Sequence, residues 1–213
     1  MKSVFCVVNP FGQSCNIIEK IKEVIKMIYL SKGIVQKSST EQMLWITHCG
    51  QDYKLTGMES ALWLNGRFEF ATAKSAAAER AVRHLERMGL VEVESGNSPV
   101  DRYRILTRCI CCPAAFTKPE MPMPYREKTV LQWLREAGIR LTVAELIFLQ
   151  EHRIVPAPEL LGSENRQALV ETIYTQENIE DGILEQAMER AACRDTVVAA
   201  LLRLLEKKKI IIL

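Results

Sequence analysis

The 213 residues weigh 24.2 kDa, with 48% apolar and 25% charged side chains and a mean hydropathy near zero. That composition excludes a wholly disordered, collagen-like or membrane-embedded chain and suits one large or two small globular domains. With 28 basic and 26 acidic residues the net charge is only +2, a balance that argues against a chain devoted throughout to nucleic acid.

The start, MKSVFCVVNPFG, predicts a strand over Lys2–Val8, closed by a turn at Asn9-Pro10. It lacks the apolar core and cleavage site of a secretory signal, and no apolar run approaches the ~18–20 residues that cross a bilayer. A cytoplasmic location and no membrane partner are expected. Ile17, Ile18, Ile21, Val24, Ile25 and Ile28 recur at helical spacing and predict a helix over Ser14–Leu30. Such a stripe suits burial in its own domain, or pairing with a second copy. Ser31–Ser39 reads as loop. Two apolar segments follow, Glu41–Cys49 and Thr56–Asn65.

Ala78, Val82, Leu85 and Met88 then mark one buried face of a helix over Ala76–Met88, with Gly89 placed to stop it in the left-handed region. Leu90–Val93 reads as a strand, Ser95–Pro99 as a turn and Asp101–Arg108 as a second strand. The phrase VRHLERMGLVEVES…RYRIL resembles the winged helix-turn-helix of bacterial regulators across residues 55–108. The resemblance implies a recognition helix followed by a β-hairpin wing. Little room remains for a middle helix between Leu55-Thr56 and Ala76. Either Glu41–Cys49 supplies the first helix or the element is abbreviated.

Four of eight prolines fall between Pro113 and Pro124, which predicts an extended linker over 113–126. It would separate a winged-helix-like domain over 1–112 from a helical, winged-helix-like domain over 127–213. Residues 1–128 hold 18 basic and 13 acidic side chains, whereas 129–213 hold 10 and 13. The small net charge thus conceals a basic first part and an acidic second part. Helices are predicted over Glu127–Ala137, Thr142–Glu151, Asn165–Tyr174, Ile179–Ala191 and Asp195–Lys207, with a strand over Ile210–Leu213. The expected class is mainly α with small β (α+β).

Two short matches hint at an internal repeat. Leu55-Thr56-x-x-Glu59 aligns with Leu141-Thr142-x-x-Glu145 at an offset of 86, and Leu85–Val91 aligns with Leu205–Ile211 at an offset of 120.

Arg80, Arg83, His84 and Arg87 lie opposite the apolar stripe of the Ala76–Met88 helix, with Lys74 just upstream and Arg102, Arg104 and Arg108 on the expected wing. Long cationic donors on an exposed helix reach phosphates and the guanine edge, so these residues are the candidate contacts to double-stranded DNA. Glu79 and Glu86 are interleaved and could instead pair with them on an ordinary solvated face. Cys109, Cys111 and Cys112 lack zinc spacing, and the seven cysteines, odd in number, are expected as free thiols with no metal. The phosphate-loop, dinucleotide, zinc-protease and serine-hydrolase motifs are all absent, so neither catalysis nor a cofactor is expected. Two functions remain: a DNA-binding transcriptional regulator, or a non-catalytic adaptor or accessory protein that engages a protein partner or a second copy through its C-terminal lobe. LTVAELIFL and ELLG are slightly similar to accessory proteins of Gram-positive secretion loci, in line with the second.

Overall fold

Met27–Ser31 forms strand β1, and all five of its side chains are buried. Met27 and Tyr29 belong to one apolar cluster, Ile28 and Leu30 to another. The strand is therefore a wall between two cores, which explains its continuous apolar run. It also corrects the expected Ser14–Leu30 helix, because the last four residues of that segment are strand. A run apolar on both faces has no period that separates strand from helix. The structure, a computed structural model, describes residues 27–40, 43–114, 122–137, 142–153 and 192–213. The expected strand Lys2–Val8, residues 14–26 and the helices Asn165–Tyr174 and Ile179–Ala191 lie outside the described residues.

The expected loop after β1 holds a short strand, β2 (Ile34–Val35), which pairs antiparallel with β3 (Met43–His48). β3 alternates half-buried and buried side chains and turns back through Cys49-Gly50 into β4 (Gln51–Thr56). The described part of the Glu41–Cys49 segment thus supplies a hairpin strand where a first helix is one of the two expected alternatives. Helix α1 (Gly57–Asn65) follows, with Thr56 at the N-cap position but no side-chain cap hydrogen bond.

β5 (Ala71–Thr72) joins β1 from one side, helix α2 (Ala76–Arg87) follows, and β6 (Val91–Ser95) joins β1 from the other. The start of α2 is set by Ser75, whose hydroxyl accepts from the Ala78 amide. Its stop is a Schellman motif. Gly89 takes φ 75°, and the amides of Gly89 and Leu90 donate to the carbonyls of Glu86 and Leu85.

The expected second wing strand over Asp101–Arg108 is instead helix α3 (Pro99–Thr107). Ser98 and Asp101 close a capping box, and Pro99 holds the first helical position. Both are helix-start signals within a segment whose Tyr103 and Ile105 suggest strand alternation. Tyr103, Ile105 and Leu106 are buried together. The strand that pairs antiparallel with β6 is β1, from Met27↔Ser95 to Ser31↔Val91.

β7 (Cys111–Pro113) pairs antiparallel with β8 (Ile210–Ile212). Between them lie α4 (Tyr125–Ala137), α5 (Val143–Glu151) and α6 (Ala192–Glu206). The six helices and three small antiparallel sheets among the described residues make an α+β arrangement. Pro113 lies in a strand and Tyr125 opens a helix, at the two ends of the expected proline linker. The second core runs from Ile28 and Leu30 through Trp133 and Leu146 to Ile212 and so draws on both sides of that segment. Glu127 is fully buried in the first turn of α4, where its carboxylate accepts from Arg203 Nε at 2.6 Å and Lys207 Nζ at 2.7 Å.

The two sequence matches have structural counterparts. α1 and α5 are both nine residues long and begin after Thr56 and Thr142. α6 ends as α2 does, with Lys208 at φ 55° and the amides of Lys208 and Lys209 donating to Leu205 and Leu204. Gly89 therefore corresponds to Lys208, and the structural offset is 119 where the sequence match suggests 120. In both cases the helices lie in sequence between two strands that pair antiparallel, β1 with β6 and β7 with β8.

Candidate functional site

α2 presents the basic face that the sequence predicts. Arg80, Arg83, His84 and Arg87 are exposed, and Ala78, Val82 and Leu85 are buried beneath them. Lys74 is exposed immediately before the cap. Two of the four basic side chains on the helix already have acidic partners. Arg83 pairs with Glu86 at 2.9 Å, one turn along, and His84 Nδ1 lies 2.6 Å from Glu59 Oε1. Among the described residues, Arg80, Arg87 and Lys74 form neither an ion pair nor a hydrogen bond.

Glu59 is the neighbour that sequence spacing hides. It is the third residue of α1, where its counterpart in α5, Glu145, accepts from the Thr142 amide at 2.8 Å and completes a capping box. Thr56 receives no such bond. The contact with His84 fixes the first turn of α1 against the last turn of α2. Met58, the residue before Glu59, is 52% exposed.

Arg102 and Arg104 are not on a wing. They lie on α3, where Arg102 donates to Asn97 Oδ1 from Nε at 3.0 Å and Nη2 at 2.8 Å, with its guanidinium 5.7 Å from the Phe70 ring. Arg104 is exposed. Arg108 is held by Glu92 and Glu94, both at 2.9 Å, and by the Val93 carbonyl. Lys32 joins the same network through Glu92 at 2.7 Å. The cations expected along a wing thus divide between helix α3 and an acidic strand, and the local charge beside β6 is neutralised.

Of the cysteines described, Cys109, Cys111 and Cys112 are buried free thiols. Burial pushes all three up from the ordinary thiol range, Cys111 to about 12. Cys49 is exposed at the hairpin turn, its Sγ 3.4 Å from His48 Nε2. Burial and the nearby Lys32 lower the His48 pKa, against the opposing pull of Glu92. Among the described residues, no cluster of three or more His, Cys, Asp or Glu side chains is placed to hold a metal, and no helix is long and apolar enough to cross a membrane. Compared with protein families, curated proteins and solved structures, the chain matches none.

Proposed function

We propose that the chain is a non-catalytic interaction module, an adaptor whose α1/α2 face binds an acidic segment of a protein partner. The observation that carries this reading is the mixed character of that face. Among the described residues Arg80 and Arg87 have no acidic partner, and the exposed Met58 immediately precedes Glu59, which joins α1 to His84 of α2. A cationic rim beside an exposed apolar side chain suits an acidic amphipathic segment. On this reading the fold is a winged helix without its wing: α2, its Schellman stop and β6 keep the order of a recognition helix and its following strand, while β1 fills the place of the return strand.

A second reading is duplex DNA binding by α2, favoured by the same unpaired Arg80 and Arg87 with Lys74 upstream. Against it stand the missing wing and the β5 strand that replaces a middle helix before α2. The test is in two parts. Crosslinking in cells followed by mass spectrometry compares wild type with Arg80→Glu, Arg87→Glu and Met58→Glu. The adaptor reading expects one partner lost from all three. Gel-shift measurements with duplex DNA start at ~50 mM salt, where phosphate contacts are strongest. Duplex binding that falls steeply with salt and flattens in Arg80→Ala/Arg87→Ala overturns the adaptor reading in favour of the regulator.

A further inference from the structure

A small notch opens where β1 meets the C-terminal strand, lined by Ser31, Gly33, Arg67, Phe68, Ile211 and Ile212. Its volume is about 10 Å³, room for a single oxygen-sized atom. The backbone donors around it are engaged: the Ser31 amide donates to Gly66 O at 2.8 Å, and the Gly33 amide to Ile212 O at 2.9 Å. The Ser31 hydroxyl is not. The residue is 2% exposed, and among the described residues its Oγ has no hydrogen-bond partner. The hydroxyl keeps its seat only because residue 66 is glycine, since a Cβ there would stand 2.6 Å from Ser31 Oγ and 2.7 Å from the Tyr29 ring.

Two cations without a carboxylate partner among the described residues adjoin it: Arg67 lines the notch, and the exposed Lys208 lies against Phe68, which also lines it. The Arg67 guanidinium is half-buried, 5.5 Å from the Trp63 ring and 4.9 Å from the Phe68 ring, and burial lowers its pKa. Lys208 Nζ lies 5.1 Å from the same Phe68 ring. Neither makes an ion pair among the described residues. Aromatic faces offset part of the cost of removing a guanidinium from water, but two cations on one ring still repel each other.

We propose that this notch is an oxyanion site: one oxygen of a phosphate or carboxylate group accepts from Ser31 Oγ, and the anion's charge faces Arg67 and Lys208. A buried donor without an acceptor and a desolvated cation without an anion are both satisfied by the same ligand. Trp63 reports on it, because its ring lies under Arg67 while its Nε1 donates to Lys32 O at 3.1 Å, next to Ser31.

The test uses the full chain. Sodium phosphate and sodium acetate are titrated separately at ionic strength held constant with sodium chloride, up to about 50 mM, beyond the millimolar range of a weak single site. Tryptophan emission and Tm are both read. A saturable change in emission, with a rise in Tm, is expected for at least one anion. Response to phosphate alone assigns the phosphate class, and to acetate alone the carboxylate class. Ser31→Ala should weaken the response about tenfold, as loss of a hydrogen bond to a charged ligand does. Arg67→Met should abolish it, and Arg67→Lys should restore part. Trp63→Phe should remove the emission change and leave the Tm shift. The proposal is overturned if wild type shows no saturable response to either anion. It is also overturned if folded Ser31→Ala and Arg67→Met respond as wild type does.

Discussion

Glu59 Oε1 reaches His84 Nδ1 at 2.6 Å across two helices and leaves the cap of its own helix unmade. The carboxylate has two competing uses, and the structure shows one. Replacing His84 with Ala frees Glu59 to accept from the Thr56 amide, as Glu145 does from Thr142. The half-exposed pair contributes little by itself, about 0.2–1 kcal/mol. We therefore expect His84→Ala to change stability by less than about 0.5 kcal/mol, and Thr56→Ala to be costlier in that background than in wild type. Urea unfolding of the two single variants and the double variant measures the difference. An additive double variant would exclude the exchange.

Glu127 should matter far more. Burial alone would raise its pKa, but hydrogen bonds from Lys207 and Arg203 and their charges outweigh it and hold the carboxyl below the ordinary range. Glu127→Gln leaves the two cations against a neutral amide and should cost about 3 kcal/mol, the low end for a broken buried pair because both cation heads are half-exposed. The sign with pH follows from the lowered folded pKa. The contribution is complete above the unfolded value and is lost as pH falls through the folded one. The stability gap between wild type and Glu127→Gln should accordingly close in acid and stay constant from about pH 6 to 8.

Helix α3 rests on its start signal. Ser98→Ala removes the acceptor for the Asp101 amide at 3.2 Å and should cost about 1 kcal/mol. Were residues 101–108 a wing strand, the same change would lie in an exposed turn and cost nothing measurable. Denaturant midpoints of Ser98→Ala and Asp101→Ala tell the two apart.

Gly89 offers a backbone test. Its φ of 75° is strained for a side chain, while the space around it is open: the nearest atoms to an added Cβ are those of the His48 ring at 3.9 Å. Gly89→Ala should cost about 1 kcal/mol and Gly89→Asn about half of that, because Asn tolerates this region. Equal losses would place the cost in packing instead.

Thiol labelling distinguishes the cysteines. Cys49 should react at least about tenfold faster than Cys109, Cys111 or Cys112, since the thiolate is the nucleophile and burial disfavours it at those three. Peptide mapping after a short pulse of iodoacetamide reads each site, and comparable labelling of Cys111 would contradict its burial.

Local signals in the sequence were legible where they acted alone. The apolar stripe of Ala78, Val82 and Leu85, the stop at Gly89 and the strand after it are present as predicted. The α1/α5 correspondence was visible in Thr56 and Thr142, and the helices over 125–137 and 143–151 emerged within two residues of their expected starts. The failures have separate causes. β1 is buried on both faces, so its period is silent, and α3 begins with turn residues that also serve as a cap. The Glu59–His84 contact links segments 25 positions apart, and no spacing rule within one helix announces such a pair.

The position of β1 also bears on how the protein comes apart. Because alternate residues of one strand belong to different cores, a segment that loses Tyr29 from the first must move Ile28 in the second. The pairing of Cys111 with Ile212 ties the two sides of the proline-rich segment together as well. Neither core can melt while the other keeps its native wall. Denaturation should run as a single cooperative transition, with the same midpoint from tryptophan emission and from far-ultraviolet circular dichroism. A cut between residues 114 and 122 would leave two fragments held together, neither of them complete without the other.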